Sequence, residues 1–248
     1  MSFSFPSASC PRPVRLSERT REFARESLSG KYGRALKATP FVPLDDIPGF
    51  EALSPYDKYD AAITRIAETA PVRIAPGELI SGSATLIEAV HHVVPGFFGG
   101  KALFSSVSHL TCDFARVLRE GADGFLDEIN ARLALPADAE QQRFLKSLLN
   151  VYEALKIWHG RYISALEALA GDRSGTAYET NLENLRSVPF SPPRSFAEAL
   201  QSLWFTFAFI RLCGNWPGIG RLDEMLGPFL EKDLASGKIT EDMAREYL

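Results

Sequence analysis

The chain has 248 residues, 46% hydrophobic and 23% charged, with 27 Lys and Arg against 31 Asp and Glu and a formal net charge of −4. This is a globular composition with enough chain for one large core or two smaller ones. The slight acidic balance excludes the basic footprint that a nucleic-acid or anionic-lipid partner needs. Cys10, Cys112 and Cys213 are odd in number and far apart, so neither a disulfide framework nor a metal-type spacing follows, and reduced thiols in a cytoplasm are expected. Met1-Ser2-Phe3-Ser4-Phe5-Pro6 lacks the basic start and apolar run of a signal peptide. The longest apolar run, Leu203 to Ile210, contains Thr206 and is too short to span a bilayer.

In chain order, the Ser- and Pro-rich residues 1–16 read as a mobile leader to a domain over 17–248. Ser17 is a candidate cap for a helix to Leu28, where arginines alternate with Glu18, Glu22 and Glu26 as on a solvated face. Pro40, Pro43, Pro48 and Gly49 mark irregular chain. Tyr59, Ile63 and Ile66 predict a second helix over Pro55–Thr69. Val72 and Ile74 alternate like a strand, Pro76-Gly77 makes a turn, and Leu79-Ile80 starts a short strand. Thr85 to Val94 fits extended chain or a short helix. Pro95-Gly96 and Gly99-Gly100 close this stretch.

Ser108 to Gly121 predicts a helix with Ser108 as cap, Leu110, Phe114, Val117 and Leu118 as its stripe, and Gly121 at the left-handed exit. Asp123 opens another helix, which Pro136 interrupts. Asp138 to Ala170 predicts one long helix, with Phe144, Leu148, Val151, Tyr152, Leu155, Trp158, Tyr162, Leu166 and Leu169 at spacings of three and four. A shorter helix, Tyr178 to Arg186, leads into Val188-Pro189-Phe190-Ser191-Pro192-Pro193. From Ser195 a strongly apolar helix runs to Cys213 and breaks at Gly214-Asn215-Trp216-Pro217-Gly218-Ile219-Gly220. Glycine there lets main chain approach a ligand closely. Arg221, Asp223 and Glu224 follow at once, so this turn is a candidate wall of a reaction chamber. A last helix starts near Glu241 after Thr240, and its ending without a cap at Leu248 predicts a longer parent sequence. The fold class expected is mainly α with a few short strands (α+β).

Several stretches, in order, resemble the glycyl radical enzymes of the pyruvate formate-lyase type. Arg73-Ile74-Ala75-Pro76-Gly77-Glu78-Leu79-Ile80-Ser81-Gly82 is similar to the family's early segment. Ser108-His109 with Asp113 and Val117-Leu118 through Gly121 is similar to its next helix. Val188-Pro189, Pro193-Arg194-Ser195-Phe196 and Glu198-Ala199-Leu200-Gln201-Ser202 follow. Gly220-Arg221-Leu222-Asp223, Pro228-Phe229, Asp233-Leu234 and Gly237-Lys238-Ile239-Thr240 complete the set. Motif matches carry weight when their context agrees. The resemblance implies the N-terminal part of a ten-stranded α/β barrel wrapped in helices. It further implies a cysteine thiyl radical, a backbone glycyl radical installed by an activating enzyme with an iron–sulfur cluster and S-adenosylmethionine, a small organic substrate and a homodimer. The three cysteines match neither family context for the thiyl residue, and no Arg-Val-x-Gly-Tyr string occurs. The chain alone is therefore expected to bind no cofactor and to be inactive. Gly218 stands where the family often has a serine, which speaks against a polyol dehydratase.

On the same resemblance His109 is expected to face substrate, where imidazole can exchange a proton near neutral pH; a helix histidine bonded to backbone is the other reading. Asp113, one turn along the expected helix, pairs with His109 or lies at the surface near a helix start. Arg221 and Asp223 hold a substrate carboxylate or each other, and Trp216 shapes the chamber. His109, Cys112, Asp113 and His91-His92 lack the convergent spacing of a zinc site. Two functions follow: part of a radical lyase or dehydratase, or a free-standing helical binding protein with the family's front half.

Overall fold

The computed structural model describes residues 16–29, 42–70, 72–82, 96–102, 111–171, 177–213 and 217–248. Residues 1–15 of the leader, the stretch 85–94, Ser108, His109 and Trp216 lie outside the described residues. The helices are α1 (Glu18–Leu28), α2 (Pro55–Thr69), α3 (Phe114–Leu133), α4 (Ala139–Ala170), α5 (Ala177–Ser187), α6 (Phe196–Leu212), α7 (Leu222–Ala235) and α8 (Glu241–Tyr247). Three short strands, β1 (Val42–Pro43), β2 (Gly96–Phe98) and β3 (Lys101–Ala102), form a sheet in that order. β1 and β2 are parallel, whereas β2 and β3 form a hairpin across Gly99-Gly100. Both glycines have positive φ, 58° and 71°, as a two-residue hairpin of this hand demands. The architecture is the expected mainly helical one.

Local chemistry sets most helix starts. Ser54, Ser195 and Thr240 each accept a backbone N–H three residues on, at 3.2 Å. Asp138 and Gln141 cap α4 reciprocally, with Gln141 N–H donating to Asp138 Oδ1 at 2.8 Å. Each such cap satisfies a donor that the helix itself cannot.

Packing then places the helices. Trp158, Tyr162 and Leu166 of α4 are fully buried and meet Ile63 and Ile66 of α2, Leu182 and Leu185 of α5, and Phe205 and Phe209 of α6 in one cluster. The Trp158 ring lies 4.4 Å from that of Phe205 and 4.8 Å from that of Tyr162. A second cluster gathers Phe114 and Leu118 of α3, Phe196, Ala199 and Leu203 of α6, Leu226 of α7 and Ala244 of α8. α6 therefore lies between two cores, which explains its apolar residues on every face. Phe144 and Leu169, expected on the α4 stripe, are 48% and 42% exposed instead.

Gly121 interrupts α3 with φ 68° and ψ 173°. The break frees the N–H groups of Ala122 and Asp123, which donate to Pro189 O at 2.8 Å and Phe190 O at 3.1 Å. A Cβ at position 121 would lie 2.0 Å from Phe190 O. Gly121→Ala is expected to lower the unfolding free energy by roughly 3 kcal/mol or more, from forced backbone angles and this collision. Urea denaturation checks this, and an unchanged midpoint would show that the 188–191 turn yields freely.

Candidate functional site

The buried polar groups concentrate where the extended segment 72–82 crosses α4, α5 and α6. The expected strands at Val72–Ile74 and Leu79-Ile80 do not form; the segment is irregular. No strand lies alongside it among the described residues, and side chains hold it instead. Gln201 of α6, fully buried, donates from Nε2 to Ser81 O at 2.7 Å and accepts Ser81 N–H at 2.9 Å. That amide serves Ser81 as a neighbouring strand's peptide would. Asn181 of α5 donates to Glu78 O at 3.0 Å. Tyr162 of α4 donates to Arg73 O at 3.3 Å. Arg73 and Ala75 face inward while Val72 and Ile74 are half-buried, the reverse of the expected alternation.

Glu78 closes the segment on itself. Its carboxyl is 4% exposed and accepts Ala75 N–H at 3.0 Å and the Ser81 hydroxyl at 2.9 Å. Burial pushes its pKa up to about 7 against the pull of those two donors, since desolvation disfavours the charged form. Gly82, at the segment's end, lies against the rings of Trp204 and Phe205. Nearby, the His159 ring touches two carbonyls through Nε2, Leu185 O at 2.6 Å and Val188 O at 3.2 Å. Burial lowers its pKa, so the neutral imidazole donates from Nε2.

The second assembly joins two of the stretches singled out in the sequence. A Cβ on Gly220 would lie 3.3 Å from Thr111 Cγ2. Cys112 and Ile219 pack on the same core cluster. The loop before α3 thus meets the turn before α7, although over a hundred residues separate them.

The side chains expected to bind substrate are disposed as follows. Residues 111–113 are not helical, so the helix expected to run through Asp113 starts only at Phe114. Asp113 is instead exposed and caps α3, accepting Arg116 N–H at 3.0 Å; its carboxylate nucleates the helix at Phe114. Asp223 and Glu224 belong to the first turn of α7 rather than to a loop. Arg221 donates to Asp223 at 2.9 and 2.6 Å and pairs with Glu224 at 3.2 Å. The guanidinium bonds hold the Asp223 carboxyl at about 2. Both partners are about two-thirds exposed, with side-chain exposures of 68% and 67%. His109 and Trp216 fall outside the described residues.

Burial raises the pKa of both Cys112 and Cys213, which keeps them as thiols rather than nucleophilic thiolates. Among the described residues no three His, Cys, Asp or Glu side chains gather as a metal would require. A recess of 320 Å³ between α2 and α4 is lined by Asp60, Thr64, Arg65 and Asn150 among others. Thr64 bonds Asn150, Arg65 bonds Asp46, and Asp60 is bonded by Arg143 and Ser147.

Sequence reasoning quoted Glu78 and Gln201 inside motifs without assigning them work. The readable signal was an amide and a hydroxyl, Gln201-Ser202, set between the apolar pairs Ala199-Leu200 and Leu203-Trp204. Gln201→Leu is expected to cost roughly 2–5 kcal/mol, because it strands the N–H and C=O of Ser81 in the core. Chemical denaturation measures the loss; a variant as stable as the parent would show that the amide clamp is dispensable.

Residues 87–248 match the family described as pyruvate formate lyase-like (PFL-like). The isethionate sulfite-lyase of Nitratidesulfovibrio vulgaris is 34% identical over 149 residues, covering 55% of this chain and 18% of that protein. The (2S)-3-sulfopropanediol dehydratase of Klebsiella oxytoca is 26% identical over 156 residues, 58% of this chain and 19% of that protein. A solved structure concerning 1,2-propanediol dehydration in Roseburia inulinivorans superposes with a TM-score of 0.71 at 20% identity. It covers 95% of this chain and 39% of its own, and so shares the fold. The chain therefore spans under a fifth of the length of these curated relatives. With some two thirds of its residues matched, the chain belongs to the pyruvate formate lyase-like family.

Proposed function

We propose that these residues form the N-terminal part of a cytoplasmic, homodimeric glycyl radical lyase or dehydratase that cleaves a carbon–heteroatom bond in a small organic substrate. The observation that carries this is the 34% identity over 149 residues to an isethionate sulfite-lyase. The names of the relatives favour carbon–sulfur or carbon–oxygen scission over the acetyl transfer of a formate acetyltransferase. In such an enzyme a glycine-borne radical, installed by an iron–sulfur and S-adenosylmethionine activating enzyme, supplies the hydrogen-atom abstraction through a cysteine.

The residues of this chain have a scaffolding and substrate-side part in that scheme. His109, Asp113, Trp216, Arg221 and Asp223 are the substrate-side groups of the reading. The approach of Thr111 to Gly220 supports it, because it brings their two segments to one place. Neither radical-bearing motif occurs in these 248 residues, so they bind no cofactor directly and turn over nothing alone.

A chimera tests the reading. Placed in the N. vulgaris sulfite-lyase in exchange for the matching stretch, this chain should permit the activating enzyme to raise a glycyl-radical EPR doublet. It should also support turnover of a small sulfonate or diol, while the 248 residues alone give neither signal nor product. A radical on the isolated chain, or a folded, radical-bearing chimera that turns over neither class, would refute it. The latter outcome would favour a binding protein built on the family's front half.

A further inference from the structure

We propose that Glu78 is a proton-operated latch: its neutral carboxyl keeps segment 75–82 seated against α5 and α6, and its ionisation releases that segment. The geometry has three parts. Glu78 touches only its own segment through its carboxyl, at Ala75 N and Ser81 Oγ, so the group ties the two ends of a loop together. The rest of the segment is held from outside by Asn181 on Glu78 O and Gln201 on Ser81, both uncharged. The Ser81 hydroxyl accepts as readily as it donates. A protonated Glu78 therefore donates to Ser81 Oγ and still accepts Ala75 N–H, losing no bond.

Ionisation is different. A carboxylate in this place accepts from two donors, Ala75 N–H and the Ser81 hydroxyl, with no cation among the described residues bonded to it, and the residue is 4% exposed. The charged and titratable groups on the elements packed here are Arg73 on the same segment, Tyr162 and Arg161 on α4, and Arg19 of α1 beside Gly77. α5 and α6 bond the segment through the amides Asn181 and Gln201, and the charged residues Glu179, Glu198 and Arg211 on them make no bond to the Glu78 carboxyl. Burial raises the Tyr162 hydroxyl far above neutrality, so near pH 7 Glu78 is the member that changes charge. The carboxyl's folded value of about 7 exceeds its ordinary 4.5. Its stabilising contribution is thus full below the ordinary value and lost as pH rises through 7. Hydrating the new charge requires the 75–82 turn to swing outward, which draws Gly82 from under Trp204 and Phe205.

The test is amide hydrogen exchange by mass spectrometry on peptides covering 72–82, corrected for the intrinsic pH dependence of exchange. Between pH 6 and pH 8.5 the corrected protection of these peptides should fall about tenfold or more, with its midpoint near 7, since one pKa unit corresponds to a factor of ten. Peptides from α4 should remain constant over the same range. E78Q should show no such step. Constant protection in the parent, or the same midpoint in E78Q, would overturn the latch. If E78Q does not fold, infrared titration of the parent decides: the buried carboxylic-acid band should vanish in step with the exchange transition. Loss of that band near the ordinary carboxylate range would equally overturn it.

Discussion

Every residue of helix α6 from Phe196 to Leu212 is buried or half-buried, and that constraint organises the described structure. A helix apolar on all sides is stable only when enclosed. One side is covered by Trp158 and Tyr162 of α4 and the leucines of α5, the other by α3, α7 and α8. Because α6 borders both cores, Gln201 and Ser202 are fully buried. Gln201 resolves this by taking the main chain of Ser81 as its partner. The buried amide thereby fixes where segment 72–82 crosses the helix.

The same economy of polar groups recurs elsewhere. Gly121 opens α3, and the freed N–H groups find the carbonyls of Pro189 and Phe190. His159 bridges Leu185 O and Val188 O from α4. α3, α4 and the turn after α5 are thus tied by backbone groups that side chains or glycine geometry leave available. Such ties are directional, unlike hydrophobic contact, so they fix the register of elements that the core merely brings together. A radical enzyme needs rigid walls around its substrate, and these bonds suit the role proposed.

The ion pairs of Arg221 with Asp223, Arg245 with Glu241 and Arg25 with Glu18 are exposed, where such pairs contribute little. Among the described residues the buried charged ones are Arg73, Glu78, Glu198, Arg211 and Asp233. Of the carboxyls among them, Glu198 is bonded by Arg194 and Asp233 accepts Phe196 N–H, while Glu78 lies under its own main chain and burial raises its pKa to about 7.

Short-range signals in the sequence determined most helices and several of their caps. The limits of α2 at Pro55 and Thr69, the Asp138 cap of α4, the break at Gly121, the Ser195 cap and the Thr240 start of α8 all depend on residues within a turn of one another. The ordered motifs also pointed to the family, since they preserve spacing as well as residue type. Tertiary structure alone decided the rest. Val72 to Ile80 has a strand's pattern but no neighbouring strand among the described residues, so side chains more than eighty residues away set its path. The helix expected from Ser108 starts only at Phe114, where Asp113 caps it, because the loop 111–113 is non-helical. The meeting of Thr111 with Gly220, and the burial that keeps Glu78 close to neutral, arise from packing between distant segments, which no local pattern encodes.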